Sequence, residues 1–283
     1  MSIKTTVITG ATSGIGKETA LALAKKDHAI YLLVRSIDKG EQLKQEIIGK
    51  TGNQSIFVIK CDLADLQSVN DAADELKAKL FNINILINNA GGIFAHREIS
   101  KDGFEMTFAT NHLGHFALTM HLLPLLEKGH ARIINVSSEA YKMGKPDFDN
   151  LRGEKAYSSF KAYGTAKLFN IYFTQSLAEK YAGKGVTAYA LHPGLVKTGF
   201  GADLSGFGKF MILLSRPFMI TAEEGAETSV YLATEPKQES KSGNYFKKCK
   251  VVKTSDISDD FSSRNRLWNI SEQLVGIKPE INA

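Results

Sequence analysis

Short, almost continuously apolar runs alternate along the chain with longer segments in which apolar residues recur every three or four positions. The short runs are 5–9, 29–34, 55–60, 83–88, 132–137 and 186–191. A strand covered on both faces has no wet side, so continuous apolar runs predict buried parallel strands. The amphipathic segments lie near 15–28, 38–49, 65–80, 100–127 and 157–182. They predict helices that shield those strands. Strand and helix in strict alternation predict an α/β fold: one doubly wound parallel sheet with helices on both faces and right-handed crossovers.

The pattern also bears on domain organisation. A chain of 283 residues could hold two domains of about 150 residues each. Yet the six prolines are scattered, no Gly/Ser-rich linker divides the chain, and no segment repeats. A single domain over 1–283 is expected. After Leu191 the alternation breaks down. Residues 199–220 carry four glycines and two apolar clusters without a clean strand. Three readings stand for this stretch: ordinary core, a C-terminal lid over an apolar substrate, or a patch in peripheral contact with a membrane surface.

Composition narrows the class. With 43% hydrophobic and 23% charged residues the chain is ordinary for a globular protein. Its two cysteines, Cys61 and Cys249, have no metal-ligand spacing, and Met1–Lys4 lead straight into the first strand with no apolar leader. No apolar run reaches the roughly 18 residues that would span a bilayer. A reduced, cytoplasmic protein is expected, and a homodimer is compatible with everything above. The net charge of +5 is mildly basic. The densest basic run, Lys247–Lys250, reads as a solvated strand and loop, and no nucleic-acid-binding motif accompanies it.

The first strand runs into Thr9-Gly10-Ala11-Thr12-Ser13-Gly14-Ile15-Gly16. Glycines at 10, 14 and 16 let the backbone turn sharply and approach a phosphate. Past Ser13 and Gly14, a helix beginning near Ile15 would face the anion with its free N–H groups and positive dipole end. The second strand ends Leu33-Val34-Arg35. An NAD site usually has an acidic residue here for the ribose hydroxyls. Val34 takes that position and Arg35 follows, which favours the 2′-phosphate of NADP(H). After the third strand, Asp62 either accepts from the adenine amino group or caps the next helix.

Four further motifs follow in order: Asn88-Asn89-Ala90-Gly91, Asn111, Ser137-Ser138 and Tyr163-Gly164-Thr165-Ala166-Lys167. Together with the Gly-rich loop they resemble the short-chain dehydrogenase/reductase family over essentially the whole chain. The long Ser-to-Tyr gap, Leu151–Lys155, His192-Pro193-Gly194 and Arg266-Leu267-Trp268 resemble its retinol-dehydrogenase-like branch. The resemblance implies a Rossmann-type fold and an NADP(H)-dependent oxidoreductase acting on a small apolar carbonyl or alcohol. It implies Asn111, Ser138, Tyr163 and Lys167 as catalytic residues, with Asn111 holding a water that links Lys167 to solvent. It also implies cofactor contacts from Asn89, Ala90, Gly91, Tyr163, Lys167, Pro193, Gly194 and Thr198.

The spacing of Tyr163 and Lys167 puts both on one helix face. An ammonium about 4 Å from the phenol contributes roughly 4 kcal/mol at an effective dielectric near 20, so Lys167 is expected to lower the Tyr163 pKa. Both Ser137 and Ser138 are candidates to hold the substrate oxygen; the resemblance implies Ser138, with Ser137 packing or bonding locally. Asn111 could instead be a polar residue on a wet helix face. His112, His115 and His121 share a helix without partners of metal-ligand spacing, so no metal is expected. Two other functions fit the sequence: an NAD-dependent alcohol dehydrogenase, and a silent dinucleotide-binding sensor or scaffold.

Overall fold

A computed structural model of the chain describes residues 3–196, 219–235 and 241–277. Seven parallel strands and one antiparallel edge strand form a single sheet in the order β3-β2-β1-β4-β5-β6-β7-β8. The strands are β1 (Thr5–Thr9), β2 (Ala29–Val34), β3 (Ile56–Lys60), β4 (Ile85–Asn88), β5 (Arg132–Val136), β6 (Thr187–His192), β7 (Tyr245–Lys247) and β8 (Lys250–Val251). The helices are α1 (Gly14–Ala24), α2 (Ile37–Thr51), α3 (Leu66–Lys79), α4 (Met106–Phe108), α5 (Gly114–Lys128), α6 (Ser159–Lys180), α7 (Ala222–Thr234) and α8 (Phe261–Leu274).

The apolar runs do become the inner strands. Val7, Ile8, Ile30, Leu32, Leu86, Ile87, Ile133 and Ile134 are all buried. Alternate residues feed two cores. Ile8, Ile30, Leu32 and Ile87 pack with α1, α2 and α7. Val7, Leu33, Leu86 and Ile133 pack with α3, α5 and α6. Both faces are therefore covered, as the continuous apolar pattern requires.

Two departures matter. The helix anticipated over 100–127 begins only at Met106, because Glu105 caps it by accepting from the N–H groups of Thr107 and Phe108. It then opens into a π-helical turn, Ala109–Leu113, before continuing as α5. Beyond β6, the chain adds α7, the β7–β8 hairpin and α8. The basic run Lys247–Lys250 is that hairpin, with Lys248 and Cys249 at positive φ in its turn. Of the segment 199–220, residues 199–218 lie outside the described residues, so the lid and membrane-contact readings do too. The backbone on either side of it meets in a parallel bridge, Val196 to Ile220.

Candidate active site

The strand order reverses between β1 and β4, and ligands of open α/β sheets bind at such a switch point. The loop after β1 and the turn after β4 lie side by side there. A Cβ on Gly10 would fall 2.6 Å from Ala90 Cα, and Gly10 has φ +65°, so position 10 requires glycine twice over. Asn89 laces the two together: its Nδ2 donates to the carbonyls of Thr9 (2.9 Å) and Gly10 (3.1 Å). Gly16 packs so closely that a Cβ would lie 2.4 Å from that same Asn89 Nδ2.

Helix α1 then starts with no acidic residue in its first turn, and the exposed Ser13 makes no side-chain capping bond. The positive end of α1 thus keeps its N–H groups free of internal neutralisation, which fits a diphosphate. Val34, at the end of β2, is buried, while Arg35 beyond it is exposed. Lys60, the last residue of β3, donates from Nζ to the Arg35 carbonyl. This places a second cation beside Arg35. Sequence reasoning passed over Lys60, and its only signal was a charge at the C-terminal end of the neighbouring strand.

Asp62 does not cap a helix. Asp65 does, accepting from Gln67 N and Ser68 N, while Asp62 Oδ1 accepts from Ala64 N at 3.0 Å in the turn before it. Pro193 and Gly194 follow β6 at the same edge of the sheet, with Gly194 at φ +97°. Thr198 lies outside the described residues.

On the other side of the switch point the two serines divide. Ser137 is buried and its hydroxyl donates to the Lys167 carbonyl at 2.7 Å. Ser138 caps the short 3₁₀ segment Glu139–Met143, accepting from Ala140 N, and its hydroxyl also hydrogen-bonds the Tyr163 phenol. Close backbone packing holds that segment to α6: a Cβ on Gly164 would lie 2.7 Å from the Ala140 carbonyl oxygen. Sequence reasoning gave no role to Gly164, since the seam exists only where two elements meet.

Lys167 is 3% exposed, and its Nζ donates to the Val136 carbonyl at 3.0 Å. The same Nζ stands 5.5 Å from the centre of the Tyr163 ring. A Cβ on Gly91 would lie 3.1 Å from Lys167 Nζ and 2.3 Å from Asn111 Oδ1, so the open Gly91 sits between these groups.

Asn111 is wholly buried in the π-helical turn, which overturns the wet-face alternative. Its side chain ties that turn to the segment after β4. Nδ2 donates to the carbonyls of Gly92 (3.0 Å) and Thr107 (2.9 Å), and Oδ1 accepts from Gly92 N (3.1 Å).

The electrostatics differ from the sequence expectation. Burial pushes the Tyr163 phenol above its ordinary range, opposed by the Ser138 bond. Burial also lowers Lys167 to about 8. Among the protein's own groups, desolvation outweighs the attraction between the two, because the pocket disfavours both charged forms. At the margin, His192 accepts from Glu139 N at 3.3 Å, and burial lowers its pKa to about 4.

A Gly-rich cradle at the switch point, beside a Ser–Tyr–Lys–Asn cluster, defines a nicotinamide-dinucleotide oxidoreductase. The chain belongs to the short-chain dehydrogenase/reductase family, whose description as short chain dehydrogenase matches residues 4–206. Within the family it falls in the retinol-dehydrogenase-like branch. It is 42% identical over 281 residues to retinol dehydrogenase 12 of Mus musculus, covering 98% of this chain and 88% of that protein. A crystal structure of an uncharacterized protein from Mycobacterium paratuberculosis is 32% identical with a TM-score of 0.79, over 97% of this chain and 94% of that one. A structure from Beutenbergia cavernae, described as an NAD(P)-dependent gluconate 5-dehydrogenase with NADP bound at low occupancy, is 26% identical. Its TM-score is 0.70, over 86% of this chain and 94% of that one. The chain is accordingly an oxidoreductase that interconverts alcohol and carbonyl groups.

Proposed function

We propose that the protein is an NADP(H)-dependent dehydrogenase/reductase for an apolar, retinoid-like alcohol and its aldehyde or ketone, with Tyr163 as general acid and base. The observation that carries this reading is the Tyr163 phenol, bonded to Ser138, with the buried Lys167 ammonium against its ring. The similarity to retinol dehydrogenase 12 supports a retinoid-like substrate. So do the exposed apolar residues Met143, at the end of the segment that Ser138 caps, and Leu195, after Gly194. Arg35, just beyond the position where an acidic residue would serve NAD, and Lys60 beside it support NADP(H).

When bound, NADP(H) supplies the hydride donor or acceptor at its nicotinamide ring. The chain's own residues do the rest. Ser138 donates to the substrate oxygen and steadies the negative charge that develops there. Tyr163 gives that oxygen a proton in reduction and takes one in oxidation. Lys167 spends one Nζ–H on Val136, which leaves two for the ribose hydroxyls and for replenishing Tyr163. Asn111 fixes the turn beside Lys167 through which protons pass to solvent.

The test is a panel of aldehydes and ketones, from acetaldehyde to retinal, assayed at nicotinamide absorbance with NADPH and NADH. The expected result is a higher kcat/KM with NADPH and with long apolar substrates. Preference for NADH would reject the cofactor assignment. Binding of NADPH without turnover of any carbonyl or alcohol would reject the enzyme reading in favour of a sensor.

A further inference from the structure

His115 lies in the first turn of α5, just after the π-helical turn, and is 2% exposed. Its two ring nitrogens bond two different segments of the site. Nε2 is 2.9 Å from the hydroxyl of Thr9, the last residue of β1 before the Gly-rich loop. Nδ1 is 3.2 Å from the main-chain carbonyl of Asn111. The Thr9 hydroxyl oxygen also accepts from the N–H groups of Asn89 and Ala90, each at 3.0 Å.

Counting protons gives one arrangement. A carbonyl only accepts, so Nδ1 carries the ring proton of a neutral imidazole. Nε2 is then bare and must accept. Both lone pairs of the Thr9 oxygen are taken by the two amides, so its own proton is free to be given. Nε2 at 2.9 Å is a better acceptor site for it than the alternative, the Ile87 carbonyl at 3.4 Å. Every polar atom in the chain of bonds is then satisfied, from the turn after β4, through Thr9 and the imidazole, to Asn111.

The environment keeps the ring neutral. Burial lowers its pKa to about 3; the Asn111 bond opposes this and the nearby Lys167 charge adds to it. A neutral tautomer with one donor and one acceptor is what a bridge between a hydroxyl and a carbonyl requires.

We infer that His115 is a positioning residue which, as its neutral Nδ1–H tautomer, fastens the Asn111 turn to the dinucleotide loop. Resting on the function proposed above, it makes one ring responsible for two alignments: Thr9 for the loop, and Asn111 for the path that replenishes Tyr163. The amides of Asn and Gln can each replace one end. Asn puts an N–H donor at the Nδ1 position and Gln puts a carbonyl acceptor at the Nε2 position.

Two measurements test this. Two-bond proton–nitrogen NMR correlations on the 15N-labelled wild-type protein report the tautomer without any turnover. An Nδ1–H signal that persists from pH 6 to 9 is expected, and an Nε2–H signal overturns the inference. NADPH binding and steady-state kinetics with the best aldehyde of the panel then compare three variants. His115→Asn should raise the NADPH dissociation constant about tenfold, the scale of one hydrogen bond, and leave kcat within about threefold. His115→Gln should do the reverse. His115→Phe, which keeps a ring and loses both bonds, should lose both. Wild-type values for His115→Phe, or parallel losses in the Asn and Gln variants, overturn the inference. If the variants do not fold, the wild-type tautomer decides. Failure of the wild-type protein to bind NADPH or turn over any carbonyl rejects the proposed function and leaves the tautomer result to stand by itself.

Discussion

The dinucleotide cradle and the reaction cluster sit at one edge of one sheet, yet they are built on opposite principles. The cradle is a backbone object. Gly10, Gly16 and Gly91 matter because a Cβ there would strike Ala90, Asn89 or Asn111. The reaction cluster is a side-chain object. Tyr163 and Lys167 place ionisable groups where burial disfavours their charged forms, and Ser138 bonds the phenol. The first region is intolerant of size and the second of lost polarity. Substitutions should therefore fail in different currencies, folding and affinity on one side and turnover on the other.

The largest expected effect is on chemistry alone. Tyr163→Phe keeps the ring and removes the transferable proton, so kcat should fall by roughly 10²–10⁴ while NADPH binding persists. Isothermal titration beside single-turnover kinetics checks the split. Comparable losses in affinity and kcat would erase the contrast between cradle and cluster.

Lys167→Met should lower kcat, though by less than Tyr163→Phe, and yet stabilise the fold. With a folded pKa of about 8 against the usual 10.5, Lys167 binds fewer protons folded than unfolded between those values. Wild-type stability should rise with pH from about 8 to 10.5, by an amount on the order of 3 kcal/mol. The Met variant should lack that slope and be the more stable protein below pH 8. Asn170 still donates to the Val136 carbonyl, so no acceptor is orphaned. Denaturant melts at pH 7 and pH 10 read both features.

Ser138→Ala should lower kcat by about a hundredfold, the scale of one lost oxyanion donor. Ser137→Ala should spare kcat and lower stability instead, since Ser137 bonds the Lys167 carbonyl. A kinetic ranking in the opposite order would exchange the two assignments.

In the cradle, Gly10→Ala should destabilise the protein by about 1–2 kcal/mol from positive φ alone, with more from contact with Ala90. It should also weaken NADPH binding, with kcat at saturation the least affected parameter. Thermal melts with and without NADPH measure this. The smallest effect is at Arg35. Arg35→Ala should weaken NADPH about tenfold, one charge-assisted bond's worth, and leave NADH nearly unchanged. Equal effects on both cofactors would mean that Arg35 does not face the 2′-phosphate.

Much of the frame was legible before any coordinate. Strands β1, β2, β4, β5 and β6 follow the continuous apolar runs because helices cover both of their faces, while the edge strand β3 leaves Phe57 and Lys60 exposed. Tyr163 and Lys167 share a face because four residues make about one helical turn. Gly10, Gly14 and Gly16 between a strand and a helix declare a tight anion-facing loop. These are local relations, settled by near neighbours in the chain. The basic run reads as a solvated strand and loop, but that β7 (Tyr245–Lys247) begins with the buried Tyr245 and Phe246 and extends the parallel sheet is decided by its pairing with β6. That Asp65 and not Asp62 caps α3 depends on where the helix actually starts. The burial of Asn111, the opposite duties of Ser137 and Ser138, and the upward push on Tyr163 depend on which distant segments close over each group. So does the contact of His115 with Thr9, 106 positions apart. Sequence spacing determined which residues share a face. Tertiary packing alone decided what covers them, and desolvation by that cover sets the chemistry of the site.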